Sequence, residues 1–330
     1  MKSRLLSVTS LIIGTALFVY LLKQTGIAEI LARVRSLGAG FGLILALSAF
    51  RHLARSYAWL RCMSDDDRSV GIWAVLRARL AGEAMADLTA AGPVIGEPIK
   101  IGQLRGKIGL VALASSLAVE NLAYAISSGL LVLSGMLALL LLFAVGDSLR
   151  VASLLAIGLT TLLLLSAWFA LKHRWQVISV SLSFLFALIH RPFRKIERVR
   201  ELENYVFDFY GKRRADFYVV ALCECTFHCA GVLEVFATLW LMTYPITVLN
   251  AFILEAVNRV LNIAFAFVPA MIGVDEAGTG MLANTLGLGA VAGVTLALIR
   301  KARMMVWIGL GLVSLLSGQK EKPSTNLRLP

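Results

Sequence analysis

The sequence predicts an all-α polytopic membrane protein of about eight to ten helices, organised as a single membrane domain over residues 1–318. The 330 residues are 58% hydrophobic and 16% charged, with a mean hydropathy of +0.80. That composition is more apolar and less charged than a soluble domain. Many apolar runs are also long enough to cross a hydrocarbon core, which takes about 20 helical residues. Two further stretches combine apolar residues with Pro, Gly and ionisable groups, which predicts broken or re-entrant helices.

The uninterrupted runs cover residues 5–22, 40–60, 108–128, 129–146, 150–171, 216–242 and 304–318, and broken runs cover 70–91, 246–268 and 277–299. The first run follows Lys2 and Arg4 but ends without a small-residue cleavage site. It therefore predicts a retained helix and not a signal peptide. Residues 319–330 form a short polar tail with no room for a second domain.

The first broken unit, about residues 70–107, contains Ala-Gly-Pro93-Val-Ile-Gly96-Glu97, and the second, about 255–290, contains Pro269-Ala-Met-Ile-Gly273-Val-Asp275-Glu276. Proline removes a backbone donor, and lipid cannot satisfy the groups freed at a break. Such breaks at corresponding places in two halves predict an internal repeat. They are also a pointer to a transporter's substrate site.

A basic segment over residues 172–215 lies in the second half of the chain, between two predicted helices. Its apolar residues recur at steps of three and four from Ile196 to Phe209, which is typical of an amphipathic helix at a membrane surface. One interpretation places it along anionic headgroups on the cytoplasmic side. A solvated cytoplasmic linker is the alternative, and binding of nucleic acid is excluded as a function.

Ionisable groups inside apolar runs are the strongest functional signal, because each costs roughly 2.5–3.5 kcal/mol to insert and usually faces a polar cavity. The candidate substrate-binding residues are Glu83, Asp87, Glu97, Lys100, Glu120, Asn258, Arg259, Asn262, Asp275, Glu276, Arg300 and Arg303. Arginines suit a phosphate and carboxylates suit an amine. A midplane pocket for a polar headgroup is one hypothesis, and mutual pairing that holds the two broken units together is the other. Glu120 is expected to need a cationic partner.

Other polar groups in the apolar runs have weaker interpretations. Arg51, His52 and Arg55 are expected to reach toward the membrane interface from the end of their helix. Glu224 and His228 lie one helical turn apart, so that a proton relay is a hypothesis for them.

No metal site and no cofactor are predicted. Cys223, Cys225 and Cys229 accompany His228 within one helix, where buried apolar thiols explain them better than zinc does. The acidic run at 65–67 is expected to be solvated, and no phosphate-binding loop of the ATPase type is present.

The first break up to Lys100, the following helix with Glu120, and the second break with Arg300 and Arg303 resemble the membrane region of the lysylphosphatidylglycerol synthetase/flippase family. The resemblance covers most of residues 5–318. It implies movement of a lipid between leaflets. It does not imply lipid synthesis, which in that family belongs to a separate soluble domain that is not found in this sequence.

Three positions depart from the family's usual pattern: Val94 and Asn121 replace basic residues, and Asp275 replaces a basic residue before Glu276. With fewer cations and one more anion, a neutral or cationic headgroup is favoured over an anionic one.

The predicted function is a lipid flippase or translocator in the inner (cytoplasmic) membrane. It would move a modified phospholipid or a polyisoprenoid- or hopanoid-type lipid. An intramembrane transferase and a structural or regulatory subunit are the alternatives. Membrane lipids are the expected partners, and a homo-oligomer or a lipid-biosynthesis partner stays open.

Overall fold

A computed structural model of the chain describes residues 27–89, 92–188 and 196–317. Within these ranges the protein forms α-helices joined by short turns, and no β-strand, which confirms the predicted all-α class. The helices are α1 (Ile27–Leu37), α2 (Gly40–Cys62), α3 (Ile72–Leu88), α4 (Pro93–Leu104), α5 (Leu110–Leu142), α6 (Asp147–His173), α7 (Val177–Leu188), α8 (Ile196–Lys212), α9 (Arg214–Leu241), α10 (Val248–Ala264), α11 (Val274–Thr285) and α12 (Ala290–Ser317). The predicted helix at 5–22 and the tail at 319–330 lie outside the described residues.

Three of the described helices, α5, α6 and α9, are long and apolar enough to cross a membrane, and the bent pair of α1 and α2 would make a fourth span. The axes of that pair meet at 99°. These helices establish an integral membrane protein. The charged helices α2 and α12 contain 23 and 28 residues, and they supply many of the ionisable groups described below.

Two predicted boundaries are wrong. The runs at 108–128 and 129–146 form one helix, α5, of 33 residues, which at 1.5 Å per residue is about 50 Å long. Conversely, the run at 277–299 is divided between α11 and α12, and α12 continues through Arg300, Lys301 and Arg303 without a break. Lys and Arg are good helix formers, so their charge interrupts a hydropathy pattern without interrupting the helix.

Both predicted breaks are present. The first lies between α3 and α4, where Gly92 has φ +39° and Pro93 begins α4. The second lies between α10 and α11 and contains a single 3₁₀ turn at Pro269–Met271, with Gly273 at φ +78°. Proline suits the first turn of a helix because its missing N–H has no partner there. The internal repeat that relates the two units stays a prediction.

Close helix crossings hold the breaks in place. The helix α3 packs on α4 and on α12, and α12 also packs on α11. A methyl group added at Gly82 of α3 would lie 2.7 Å from the carbonyl oxygen of Gly96 in α4. Only glycine permits this approach, as is common where membrane helices pack closely.

The apolar face of the amphipathic helix α8 packs on protein helices. Phe209 of that face is buried against Ala58, Cys62 and Val119. The hydroxyl of Tyr210 donates to the carbonyl oxygen of Val119 at 3.3 Å. Most charged side chains of α8 lie on the opposite, more exposed face, and its placement along anionic headgroups or in solvent stays a prediction.

Candidate substrate cavity

A cavity of about 700 Å³ lies between the two breaks. Most of the predicted site residues line it: Glu83, Asp87, Glu97, Lys100, Asn258, Arg259, Asn262, Asp275, Arg300 and Arg303. Gly92 of the first break and Ala266 of the second also line it. A methyl group added at Gly92 would lie 3.9 Å from the carbonyl oxygen of Ala266. The two breaks therefore face each other across one polar space.

Two predicted residues, Glu120 and Glu276, do not line the cavity. Glu120 lies behind its wall, fully buried, with Nη2 of Arg55 and Nη2 of Arg79 each 2.7 Å from its Oε1. The cationic partner expected for Glu120 is confirmed. Glu276 pairs with Lys301 and accepts a hydrogen bond from the backbone N–H of Gly273 at 3.0 Å, which caps the start of α11.

Beyond the candidate residues predicted from the sequence, the lining also includes Arg51, His52, Arg55, Tyr124, Glu255, Lys301 and Trp307. The interpretation of Arg51, His52 and Arg55 as interfacial side chains is wrong, because the fold turns this face of α2 toward the cavity. Arg51 and Arg55 are four residues apart, so they share one face of the helix. This four-residue spacing is visible in the sequence and indicates that both arginines face the same neighbour.

Arg51 is the centre of a buried ion network. Its Nη1 lies 2.9 Å from Glu234 of α9, and its Nη2 lies 3.2 Å from Glu255 of α10. Arg303 of α12 also pairs with Glu234, and Arg259 pairs with Glu255. These contacts join α2, α9, α10 and α12 through charges that are withdrawn from lipid.

A second network links α2, α3 and α5. Arg79 lies 3.0 Å from Glu83 in addition to its contact with Glu120. Nδ1 of His52 lies 3.1 Å from the other oxygen of Glu83, and the ring of His52 packs against Trp307 with centroids 4.5 Å apart. The hypothesis of mutual pairing therefore explains part of the charged set.

Some polar groups at the cavity lack a close hydrogen-bond or ion-pair partner among the described residues. Nη2 of Arg300 has no hydrogen-bond partner among the described residues and lies 3.7 Å from Glu255, while Nη1 lies 3.5 Å from Asp275. Trp307 Nε1 is likewise buried without a partner. Asp87 lines the cavity and forms no ion pair with the described residues. A buried donor without a partner is costly, so Arg300 and Trp307 indicate where a ligand would bind. Asp87 is exposed and adds an acceptor beside them.

The lining carries more positive than negative charge. Seven cationic side chains line it, namely Arg51, Arg55, Lys100, Arg259, Arg300, Lys301 and Arg303. The five carboxylates are Glu83, Asp87, Glu97, Glu255 and Asp275. Four of these cations pair with carboxylates outside the lining: Arg55 with Glu120, Arg51 and Arg303 with Glu234, and Lys301 with Glu276. The lining therefore offers cations that suit a phosphate and carboxylates that suit an amine, and the expected neutral or cationic headgroup stays a prediction.

Metal-binding clusters are not found among the described residues: no group of three or more His, Cys, Asp or Glu side chains could hold an ion there. Of the cysteines in α9, Cys225 and Cys229 are exposed and Cys223 is partly buried. The interpretation as buried thiols is therefore wrong for the exposed pair. These thiols face outward from an apolar helix, where lipid accommodates a small apolar group as well as a protein core does.

Comparisons with known proteins agree with the membrane architecture. Searches of curated proteins and of solved structures found no match. Residues 7–311 match the family described as "Lysylphosphatidylglycerol synthase TM region", and this match spans both breaks and every helix that lines the cavity. The chain belongs to the lysylphosphatidylglycerol synthase transmembrane-region family.

Proposed function

We propose that this protein moves a lipid with a phosphate-containing headgroup between the leaflets of the cytoplasmic membrane. The headgroup would pass through the cavity between the breaks while the tails stay in the bilayer. The family is named for the membrane region of a lipid synthase, which associates the chain with membrane lipids. Translocation of the lipid is the finer step proposed here.

The cavity is the observation that carries this proposal. A volume of about 700 Å³ is within the range of small-molecule sites, roughly 300–1,000 Å³, and suits a headgroup better than a whole lipid. Charges of both signs line it inside a bundle of apolar helices. Charges in such places usually mark the path of a polar substrate.

Apolar residues beside the cavity favour a lipid over a soluble solute. Val94 at the first break is 77% exposed, and Ile263 and Phe267 at the second are 73% and 63% exposed. Ala266 and Val268, on either side of Phe267, line the cavity, as does Asn262, next to Ile263. Polar and apolar surfaces thus adjoin, as a molecule with a charged head and hydrocarbon tails requires.

Arg300 and Asp87 are the residues best placed to contact the headgroup. Arg300 is buried, yet it is held only by long contacts, so a phosphate oxygen could take hydrogen bonds from it. Asp87 lies one turn after Glu83 in α3, and it could accept from a hydroxyl or an amine of the same headgroup.

The test is lipid movement by the purified chain in liposomes, with and without an imposed proton gradient. The lipids would carry fluorescent labels on anionic phosphatidylglycerol, zwitterionic phosphatidylethanolamine or an uncharged glycolipid. We expect the phosphate-containing lipids to move. Movement should fall at least tenfold in Arg300→Gln and Asp87→Asn, and be retained in the control Arg200→Gln, whose side chain is 48% exposed on α8.

Equal movement in Arg300→Gln, Asp87→Asn and the unchanged chain would contradict the proposal, provided that all are folded and equally abundant. Movement of no lipid under any gradient would contradict it as well. Mass spectrometry of lipids from expressing cells would then separate the two alternatives. A new lipid species indicates a transferase, and an unchanged profile with a co-purifying partner indicates a subunit.

A further inference from the structure

A second polar cluster lies beside the cavity and is not needed to line it. Glu224 and His228 of α9 are 1% and 7% exposed, and Ser127 of α5 lies between them. Nε2 of His228 is 3.0 Å from Ser127 Oγ, and Ser127 Oγ is 3.5 Å from Glu224 Oε2. The hydroxyl thus bridges the acid and the imidazole.

Hydrogen-bond accounting at Ser127 shows how weakly Glu224 is held. A hydroxyl has one proton to donate, and three acceptors compete for it: the carbonyl oxygen of Tyr124 at 3.0 Å, Nε2 of His228 at 3.0 Å and Oε2 of Glu224 at 3.5 Å. The contact to Glu224 is the longest of the three, so Ser127 offers the ionised acid at most one long hydrogen bond.

Charge compensation is also weakest at Glu224. Glu120 has two arginine contacts at 2.7 Å, from Arg55 and Arg79. Glu224 has only Nε of Arg55, at 3.9 Å, and its Oε1 has no hydrogen-bond partner among the described residues. A buried carboxylate without a close cation is strongly disfavoured, so the proton in this cluster belongs on Glu224.

Arg55 connects this acid to the cavity. Its guanidinium lies over the Tyr124 ring, 3.8 Å from the centroid, and Arg55 and Tyr124 both line the cavity. An anionic headgroup that attracts Arg55 would draw its charge away from Glu224. Binding of the anion would therefore favour the proton on Glu224, and by linkage the proton would favour binding of the anion.

The remaining charged and titratable groups near the cluster are accounted for. Glu224 faces Arg55 of α2, Arg79 of α3, Glu120 of α5 and Tyr210 of α8. His228 faces Arg51 and Arg55 of α2 and Glu255 and Arg259 of α10. From α12, Arg303 pairs with Glu234, further along α9. Every carboxylate near the cluster other than Glu224 has a cation within 3.2 Å.

We propose that Glu224, bridged to His228 through Ser127, is a proton-binding site linked through Arg55 to the cavity. At a pH above the titration midpoint of Glu224, where the acid is ionised before binding, one proton would then be taken up with each phosphate-containing headgroup. The linkage rests on the proposed function, whereas the proton on Glu224 does not. A proton gradient could drive such a carrier.

The first test is infrared difference spectroscopy of the full chain in detergent across a pH titration. We expect a protonated-carboxyl band that is lost in Glu224→Gln, a variant that keeps a hydrogen-bond donor toward Ser127. Ser127→Ala should shift the titration midpoint of the band upward, because it removes the hydroxyl that can donate to the ionised acid. The control Glu197→Gln, with its side chain 73% exposed, should leave the band unchanged. Absence of the band from the unchanged chain would overturn the proton site.

The second test measures proton uptake in weakly buffered solution when glycerol phosphate, a soluble headgroup probe, is added. We expect up to one proton per protein in the unchanged chain and none in Glu224→Gln. The affinity should fall by about tenfold per pH unit above the midpoint. Equal uptake in Glu224→Gln would overturn the linkage. No binding of the probe by any chain would overturn the linkage and count against the proposed cavity function, while the infrared band would still decide the proton site.

Discussion

Arg51 donates a hydrogen bond to Glu234 across 2.9 Å, although the two residues are 183 positions apart in the chain. The same guanidinium reaches Glu255, so that one side chain of α2 joins α9 and α10 beside the cavity. The contact combines two roles, since it stabilises the bundle and fixes a positive charge at the cavity wall.

Replacing Arg51 by Met should destabilise the protein by about 3–5 kcal/mol, because two buried carboxylates lose a shared cation. The free energy of unfolding in a detergent titration measures this loss. Arg200→Met is the matched control and should cost less than about 1 kcal/mol, as expected for an exposed pair. A small loss in Arg51→Met would mean that Arg303 and Arg259 compensate the two carboxylates by themselves.

Gly231→Ala should disturb the same network without removing a charge. A methyl group at Gly231 would lie 2.6 Å from Glu255 Oε1 and 3.2 Å from Cζ of Arg51, so the ion pair would have to move. We expect a cost of about 1–3 kcal/mol from overpacking, together with reduced lipid movement. Gly158→Ala on α6 is the control, because no atom lies within 4 Å of the added methyl group. It should not lower the free energy of unfolding.

Glu276→Gln should act on stability and not on lipid selectivity. The carboxylate caps α11 and pairs with Lys301, whose side chain is only 2% exposed. Loss of the pair leaves a buried ammonium without its partner, which costs several kcal/mol. Thermal unfolding and the ratio of lipids moved by the surviving folded protein would check this. A changed ratio with unchanged stability would return Glu276 to the substrate site.

Tyr205→Phe tests the attachment of α8 to the end of α2. The hydroxyl donates to the carbonyl oxygen of Cys62 at 2.6 Å, and its loss should cost about 0.5–1.5 kcal/mol. Burial raises the pKa of Tyr205 above its usual value of about 10. The stabilisation should therefore be fully present below pH 10 or so and be lost as the pH rises through the folded-state pKa.

The measurement is the difference in unfolding free energy between the unchanged chain and Tyr205→Phe, taken from pH 7 to pH 11. The difference should be constant up to about pH 10 and then shrink. A difference that grows with pH would mean that the ionised oxygen is stabilised by Arg213, which donates to it at 3.1 Å.

Much of the candidate site could be read from the sequence because its signals are local. Asp87, Glu97 and Arg300 are ionisable groups in apolar surroundings, and that contrast is visible without a fold. The faces of the helices were harder to assign. Lipid and protein interior are both apolar, so a hydrophobic pattern does not show which side of a membrane helix is buried. For this reason Arg51 and Arg55 were assigned to the interface and Glu276 to the cavity.

The sequence by itself determined the class of the protein. Its apolar composition requires membrane helices, and Pro93, Pro269 and the neighbouring glycines require breaks in two of them, because these effects depend only on adjacent residues. The tertiary structure decided which charges pair and which remain free for a ligand. Glu120 is held between Arg55 and Arg79, while Arg300 keeps an unpaired donor at the cavity. These pairings join helices that are far apart in the chain. Which charges meet depends on how the helices are rotated and packed against one another, and a local sequence pattern does not specify that.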